Sequence, residues 1–400
     1  GHEVTLVDVD PAKLRAISSG QSPIYEPGLE DLIRKNRDRI RATTDLRAAV
    51  GSTDITFVAV GTPSREDGAI DLRYVRTACE EIGQALRDGN NFHIVVIKST
   101  VFPGTANEMA CPVLEKASGK TAGRDFGLGS NPEFLREGSA VRDCLSPDRI
   151  VIGADDPRTA GVIRDLYAPI RATVLVTPVT TAEMIKYASN AVLATKVSLA
   201  NEIGNLCKRL GVDSREVFTA VGMDGRVSPA FFRTGIGFGG SCFPKDVRAL
   251  VAGARAHGED LKILRAVLEV NEEQPKKLLS LLRRHIPDLQ GKTIGLLGLA
   301  FKPDTDDIRE SRAVPVVAAL LAAGAQVIAY DPAAMENFRR VFPQIAYASA
   351  PDEVLGADAV LILTEWREFE GLDYRERIVI DGRRLEKAKA EAAVYEGVCW

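Results

Sequence analysis

Histidine, methionine and tryptophan are scarce in this 400-residue chain, at four, four and two copies. The histidines, His2, His93, His257 and His285, are too scattered for metal-ligand spacing. Neither a structural nor a catalytic metal is therefore expected. None of the six cysteines (Cys79, Cys111, Cys144, Cys207, Cys242, Cys399) belongs to a CxxC pair, and the chain is far too long to be a disulfide-stapled miniprotein. Reduced thiols in a cytoplasmic setting are the expectation. No apolar run approaches the ~18 residues needed to span a bilayer, and no charged-then-apolar leader opens the chain. Neither a membrane nor secretion is expected. The formal charge is −4 and the isoelectric point near 5.8, which argues against nucleic acid as a main partner. An anionic small substrate stays open, because it needs only a local cationic pocket.

Hydrophobic residues make up 45% and charged residues 26%, the ordinary usage of soluble globular proteins. The length predicts two or three domains. Short β-branched runs alternate with helical stretches: EVTLVDVD (3–10), Ile55–Val60, HIVVIKST (93–100), Phe126–Gly129 and Arg149–Gly153. That grammar implies βαβ units and a parallel sheet. From Thr180 to about Leu210 proline vanishes and apolar residues recur at helical spacing, which predicts a long helix capped by Thr180 or Thr181 and ended by Gly211. The far end repeats the opening pattern in KTIGLLGLAFK, AQVIAYDP, GADAVLILTEW and RIVIDGRR, a second doubly wound unit from about Gln290. Ligands of such sheets bind at the carboxyl ends of the strands.

Several residues carry chemistry. Asp8 ends a strand where a dinucleotide-binding unit places its ribose-binding carboxylate, and an acid there favours NAD over NADP. Asp10 has a simpler reading as the N-cap of a helix opened by Pro11. GIGFGGSCFPKD (235–246) is the most specific local signal. Its four glycines let backbone amides approach a ligand closely, Cys242 follows them, and the nearby Lys245 favours a thiolate. The other five cysteines are expected to be small buried fillers. In SNPEFLREG, Glu133 and Glu137 would share one face if the segment were helical. EMIKYASN sets Lys186 and Asn190 one helical turn apart, where an ammonium and an amide could both meet an oxyanion. Without further context, both pairs have the ordinary reading of solvated surface.

These pieces occur together and in order. GTP (61–63), KSTVFPGT, NPEFLREG, EMIKYASN, DGR (224–226), GFGGSCFPKD, FKPDTDDIRES and DGRR resemble the UDP-glucose/GDP-mannose dehydrogenase family over essentially the whole chain. The resemblance implies an α/β fold: two Rossmann-like doubly wound parallel-sheet domains joined by a helical domain with a long central helix. The expected boundaries are an NAD-binding domain over 1–176, a helical dimerisation domain over 177–275 and a nucleotide-sugar domain over 276–400. The activity implied is a four-electron oxidation of a sugar C6 alcohol, through a cysteine thiohemiacetal and thioester, with NAD as the cofactor. UDP-glucose is the expected substrate and GDP-mannose the alternative; a non-catalytic nucleotide-sugar-binding remnant is a second alternative.

Carried over by resemblance, Cys242 is the nucleophile, and Lys186 and Asn190 stabilise the oxyanion. Asp246 works with Lys186 on protons and water, Glu133 assists hydrolysis, and Thr100 helps hold a water and the nicotinamide end. Asp8, Lys13, Thr62, Thr100, Glu137, Lys245 and Arg309 match cofactor contacts. Glu133, Phe134, Leu135, Arg136, Glu137, Lys186, Asn190, Arg226, Arg233, Phe238, Gly239, Phe301, Lys302 and Arg383 match substrate contacts, and Arg226 can reach in from a partner subunit. A homodimer or larger homo-oligomer is implied. A GxGxxG turn should precede the ribose acid by ~20 residues, so the first strand and the glycine loop are expected to fall before residue 1. On that expectation NAD binding is weak, and about thirty upstream residues would restore it.

Overall fold

The computed structural model describes residues 2–400. The chain divides into two compact units after Ser189.

The first unit runs β1 (Val4–Val7), α1 (Pro11–Ser18), α2 (Leu29–Lys35), β2 (Ile40–Thr43), α3 (Leu46–Gly51), β3 (Ile55–Val58), α4 (Arg73–Arg87), β4 (His93–Ile97), α5 (Cys111–Ser118), β5 (Phe126–Ser130), α6 (Ala140–Leu145), β6 (Arg149–Ala154), α7 (Pro157–Leu166) and β7 (Thr173–Thr177). The start of α8 (Val179–Leu210) completes it. β1 and β2 form a parallel pair, in register Val4 with Ile40. The other strands form a separate sheet in the order β3-β4-β5-β6-β7. The β5–β6 pairing in it is antiparallel and short, unlike the uniformly parallel sheet expected. β4 and β5 are buried at every residue, as central strands covered on both faces must be. Ile94, Val96, Ile150, Ile152 and Ile163 pack together as one core.

Two helix starts show what sequence patterns can and cannot fix. Asp10 caps α1, accepting the Ala12 N–H at 2.8 Å, with Pro11 at the first helical position. The long helix instead starts at Val179, so Thr180 and Thr181 lie inside it and do not cap it. Its first N–H, on Val179, is taken 3.1 Å away by Asp155, 24 residues upstream. Gly211 (φ +70°) follows its end, as expected.

The second unit holds the rest of α8, then α9 (Ser214–Gly222), α10 (Phe243–Ala256), α11 (Lys262–His285), β8 (Thr293–Leu297), α12 (Ala313–Ala322), β9 (Gln326–Tyr330), α13 (Met335–Val341), β10 (Ala346–Tyr347), α14 (Pro351–Val354), β11 (Ala359–Ile362), β12 (Ile378–Asp381), α15 (Glu386–Glu391) and β13 (Val394–Gly397). Its sheet is parallel throughout, in the order β10-β9-β8-β11-β12-β13. This is the doubly wound order, with its switch point between β8 and β11. Among the described residues no helix is long and apolar enough to cross a membrane.

Candidate active site

In the first unit, the carboxyl ends of β3, β4 and β5 bring the expected residues together. Thr62, after β3, donates its hydroxyl to the Thr100 carbonyl at 2.9 Å, and Ser99 donates to the Val60 carbonyl at 2.6 Å. These two bonds lace the turn after β3 to the turn after β4. Lys98 directly follows β4 and donates to Asn131 Oδ1 at 2.8 Å. Asn131 begins the stretch after β5 that carries Glu133.

Lys186, on α8, is buried, and its Nζ lies 2.9 Å from Glu133 Oε1. Phe134 lies under two cations, with Arg149 4.1 Å and Lys186 5.4 Å from its ring centre. Lys186 and Asn190 are both buried, so the ordinary surface reading of that pair fails.

Glu133 and Glu137 do not share a helical face. Residues 131–136 are irregular and the next helix begins at Ala140. Pro132 removes a donor, and Gly138 (φ +78°) breaks any helical path. The helix N-terminus that follows is satisfied from far away, by Glu26, which accepts the Gly138 and Ala140 N–H groups at 2.7 and 2.8 Å. Leu135 is exposed, and Arg136 is paired with Asp143 at 2.6 Å.

A carboxylate that sequence reasoning missed fixes α8 itself. Glu183 accepts the N–H groups of Gly104 (2.6 Å) and Ala106 (2.9 Å) and is fully enclosed. It ties the helix turn before Lys186 to the segment that follows Thr100. Burial pushes its carboxyl up to about 7, against the pull of the two amides.

In the second unit, Asn190 donates to Asp246 Oδ2 at 2.6 Å, and Lys245 Nζ lies 2.6 Å from Asp246 Oδ1. Asp246 is buried, and it lies in the first turn of α10. Cys242 is the N-cap residue of the same helix, half-buried, with Ser241 Oγ 3.6 Å from its sulfur. A helix N-terminus favours negative charge on a group placed there.

The glycine loop ahead of Cys242 is pinned by buried amides. Asn201 accepts the Gly235 N–H at 2.7 Å, Gln274 donates to the Gly235 carbonyl at 2.7 Å, and Asn271 accepts from Phe238 N–H and donates to its carbonyl. Gly237 (φ +95°) has no room for a side chain, since a Cβ would sit 2.4 Å from Asn271 Oδ1. A Cβ on Gly239 would fall 2.4 Å from the Glu310 carbonyl.

The second sheet gathers its candidates at its switch point. Arg383, after β12, is mostly buried and donates to the Leu363 carbonyl at 2.8 Å, with weaker bonds to Gly237 and Phe301. Glu365, after β11, lies 3.5 Å from Arg383 and 3.8 Å from Arg233. Burial lowers the Arg383 guanidinium from its usual range, and Glu365 opposes that shift. Lys302 lies over the Phe301 ring. Arg309 is exposed and paired with Asp307; Arg226 is exposed and paired with Asp224. Of the cysteines expected to be buried fillers, Cys79, Cys207 and Cys399 are buried, Cys111 is half-buried and Cys144 is exposed.

Three family models cover the chain: the NAD binding domain (residues 1–171), the central domain (180–273) and the UDP binding domain (295–388) of the UDP-glucose/GDP-mannose dehydrogenase family. The chain belongs to that family. It is 48% identical to a UDP-glucose 6-dehydrogenase of Haloferax volcanii, over 100% of this chain and 95% of the relative. It is 39% identical to a GDP-mannose 6-dehydrogenase of Pseudomonas aeruginosa, over 100% and 95%. The solved structure of a UDP-glucose dehydrogenase from Pyrobaculum islandicum superposes with a TM-score of 0.97 at 46% identity, over 100% of this chain and 93% of that one.

The family's cofactor is NAD, and the two sheets differ in how they could meet it. Asp8 and Asp331 each directly follow a strand, β1 and β9. Asp331 is buried and already receives five donors: the N–H groups of Leu299, Ala300, Ala333 and Ala334 and the Trp366 indole. A carboxylate has about four lone-pair sites, so none remains for a ribose. Asp8 takes one N–H, from Asp10, and has Lys13 3.5 Å away. It keeps acceptor capacity at a half-exposed position, which fits the ribose of NAD.

Proposed function

We propose that this chain oxidises UDP-glucose at C6 to UDP-glucuronate, with two NAD consumed per acid formed. Cys242 at the N-terminus of α10, in one helical turn with the Lys245–Asp246–Asn190 chain of hydrogen bonds, is the observation that carries this reading. NAD supplies a hydride acceptor twice. Asp8, Lys13, Thr62, Thr100, Glu137, Lys245 and Arg309 are the residues proposed to hold it. The first oxidation removes a hydride and the hydroxyl proton and leaves an aldehyde. The Cys242 sulfur then adds to the carbonyl carbon. Loss of a second hydride converts this adduct to a thioester, and water breaks the C–S bond to release the acid and the thiol. Lys186 and Asn190 stabilise negative charge on the reacting oxygen. Asp246 and Glu133 handle protons and water, each already bonded to one of those two residues. Arg383, Lys302, Phe301, Phe238, Gly239, Arg233 and residues 133–137 are proposed substrate contacts, with cations meeting the diphosphate.

The 48% identity to a UDP-glucose enzyme, against 39% to a GDP-mannose enzyme, supports the choice of sugar nucleotide. NADH formation with each purified nucleotide sugar tests it. UDP-glucose should be the faster substrate, and orders-of-magnitude faster turnover of GDP-mannose would replace it. A non-catalytic nucleotide-sugar-binding remnant would show no NADH formation with either. The working location proposed is the cytoplasm.

We further propose a homodimer built on α8. Val192, Leu199, Ile203, Leu206 and Leu210 are exposed at spacings of seven, four, three and four, the a/d seam of a helix that pairs with a copy of itself. Arg226, exposed on its own chain, then serves the partner's substrate. In analytical ultracentrifugation the wild type should sediment as at least a dimer, and Leu199→Glu with Leu206→Glu as a monomer. An unchanged sedimentation coefficient in the double variant would remove α8 from the interface.

A further inference from the structure

Lys98 is a half-buried cation to which none of the roles above is assigned. Its Nζ donates to Asn131 Oδ1 at 2.8 Å, and the Tyr167 hydroxyl donates to the same oxygen at 2.5 Å. Asn131 is itself buried, and its Nδ2 donates to the Val151 carbonyl at 2.7 Å. All the polar atoms of the Asn131 side chain are thereby committed. Two residues later comes Glu133, the partner of Lys186. With no helix between Ser130 and Ala140, the position of Glu133 depends on what anchors the irregular segment. Asn131 anchors the start of that segment, next to Glu133, and Lys98 and Tyr167 hold it from just after β4 and just after α7.

We propose that Lys98 is a positioning residue for Glu133: through Asn131 it fixes the start of the Asn131–Pro132–Glu133 turn, and its positive charge acts on Glu133 alongside that of Lys186, so that turnover falls when Lys98 loses its proton. The proposal rests on the role given above to Glu133.

The charged and titratable groups around Lys98 come from every neighbouring element: Glu133 after β5, Cys144 on α6, Tyr167 after α7 and Lys186 on α8. Arg149 of β6 faces the same segment, over Phe134. Burial lowers the Lys98 ammonium from 10.5 to about 8; Glu133 and Cys144 oppose the shift and Lys186 adds to it. The sign of the linked stability separates activity from unfolding. A lysine whose folded value lies below its unfolded value binds fewer protons when folded, so between about 8 and 10.5 its contribution to stability rises with pH. A loss of kcat in that window through Lys98 is therefore not unfolding driven by the same group.

The test is kcat against pH, from 6 to 10, for wild type, Lys98→Arg and Lys98→Met, with UDP-glucose and NAD saturating. Wild type should lose kcat through a midpoint near 8. Lys98→Arg should hold its kcat to higher pH, because a guanidinium stays charged. Lys98→Met should lower kcat about tenfold at neutral pH, the size of one pH unit's worth of charge interaction, with both KM values changed far less. An NMR titration of labelled lysine side chains reads the coupling without turnover. The Lys98 midpoint should fall in Glu133→Gln, since a charge that raises it is gone. A midpoint unmoved by Glu133→Gln, or an alkaline limb shared by wild type and a folded Lys98→Arg, would overturn the proposal. Coupling that persists in a wild type unable to oxidise UDP-glucose would overturn the assigned reaction and leave the link between Lys98 and Glu133 standing.

Discussion

Cys242→Ser is expected to abolish net acid formation, by at least about 10³-fold, because in the proposed mechanism every step after the aldehyde passes through the carbon–sulfur bond. Serine is nearly isosteric, and Cys242 is a half-buried cap residue with no disulfide. The melting temperature should therefore move by only a few degrees. The hydroxyl is a poor nucleophile at neutral pH, and the helix end that favours a thiolate does not ionise it. The first oxidation needs no sulfur, so a single turnover should still yield one NADH and an enzyme-held aldehyde. Wild type should give two NADH per acid. Quenched-flow product analysis with NADH counted by absorbance distinguishes the two. Undiminished acid production by Cys242→Ser would remove the covalent step and make Cys242 a structural cap of α10.

Strands with strong apolar runs were legible: β3, β4, β5, β6, β8, β9, β11 and β12 fall where short β-branched segments predict them. β7 (TVLVT) and β13 (VYEG) also escape, β7 despite its β-branched residues, and two further strands are defined by pairing more than by pattern. β2 (IRAT) is four residues long, and β10 is two residues long at a sheet edge. The antiparallel step between β5 and β6 has no local signature either, since strand direction is set by the path of the connection.

The site shows the same division. Cys242, Lys186, Asn190 and Asp246 stand in motifs, and the structure pairs Lys186 with Glu133 and Asn190 with Asp246. Glu183, Asn131, Asn201, Asn271 and Gln274 were not legible as supports, because their partners lie between 20 and 79 residues away and most are backbone groups. One signal was present. Glu183, Lys186 and Asn190 fall at i, i+3 and i+7 of α8, on the face that also buries Ala182, Tyr187 and Ala194. Polar residues along the buried face of a helix cost free energy unless each has a partner, so that stripe predicts a polar network. Spacing alone would set Glu133 and Glu137 on one helical face, but Pro132 and the positive φ of Gly138 rule out the helix.

Lys186→Ala should lower kcat by roughly 10²–10³-fold with little change in either KM, equivalent to about 2.7–4 kcal/mol of transition-state stabilisation. An ammonium that meets charge developing on the sugar oxygen acts mainly in the transition state, and its loss is felt in kcat. Lys186 is enclosed on α8, held 2.9 Å from Glu133 and beside the Phe134 ring. Its orientation is therefore set before substrate arrives, which is what makes such a donor effective. The variant also leaves Glu133 without this partner. Glu133 keeps about a quarter of its side-chain surface in water, at 27%, and its Oε2 keeps the Leu135 N–H, so the fold should persist. A double-mutant cycle with Glu133→Gln separates the two effects. If the pair acts as a unit, the double variant should be hardly slower than the worse single one. Strict additivity of the two losses would mean that Lys186 and Glu133 act on different steps. A rise in the UDP-glucose KM at constant kcat would instead make Lys186 a ground-state clamp on the sugar, and the oxyanion role would pass to Asn190 alone.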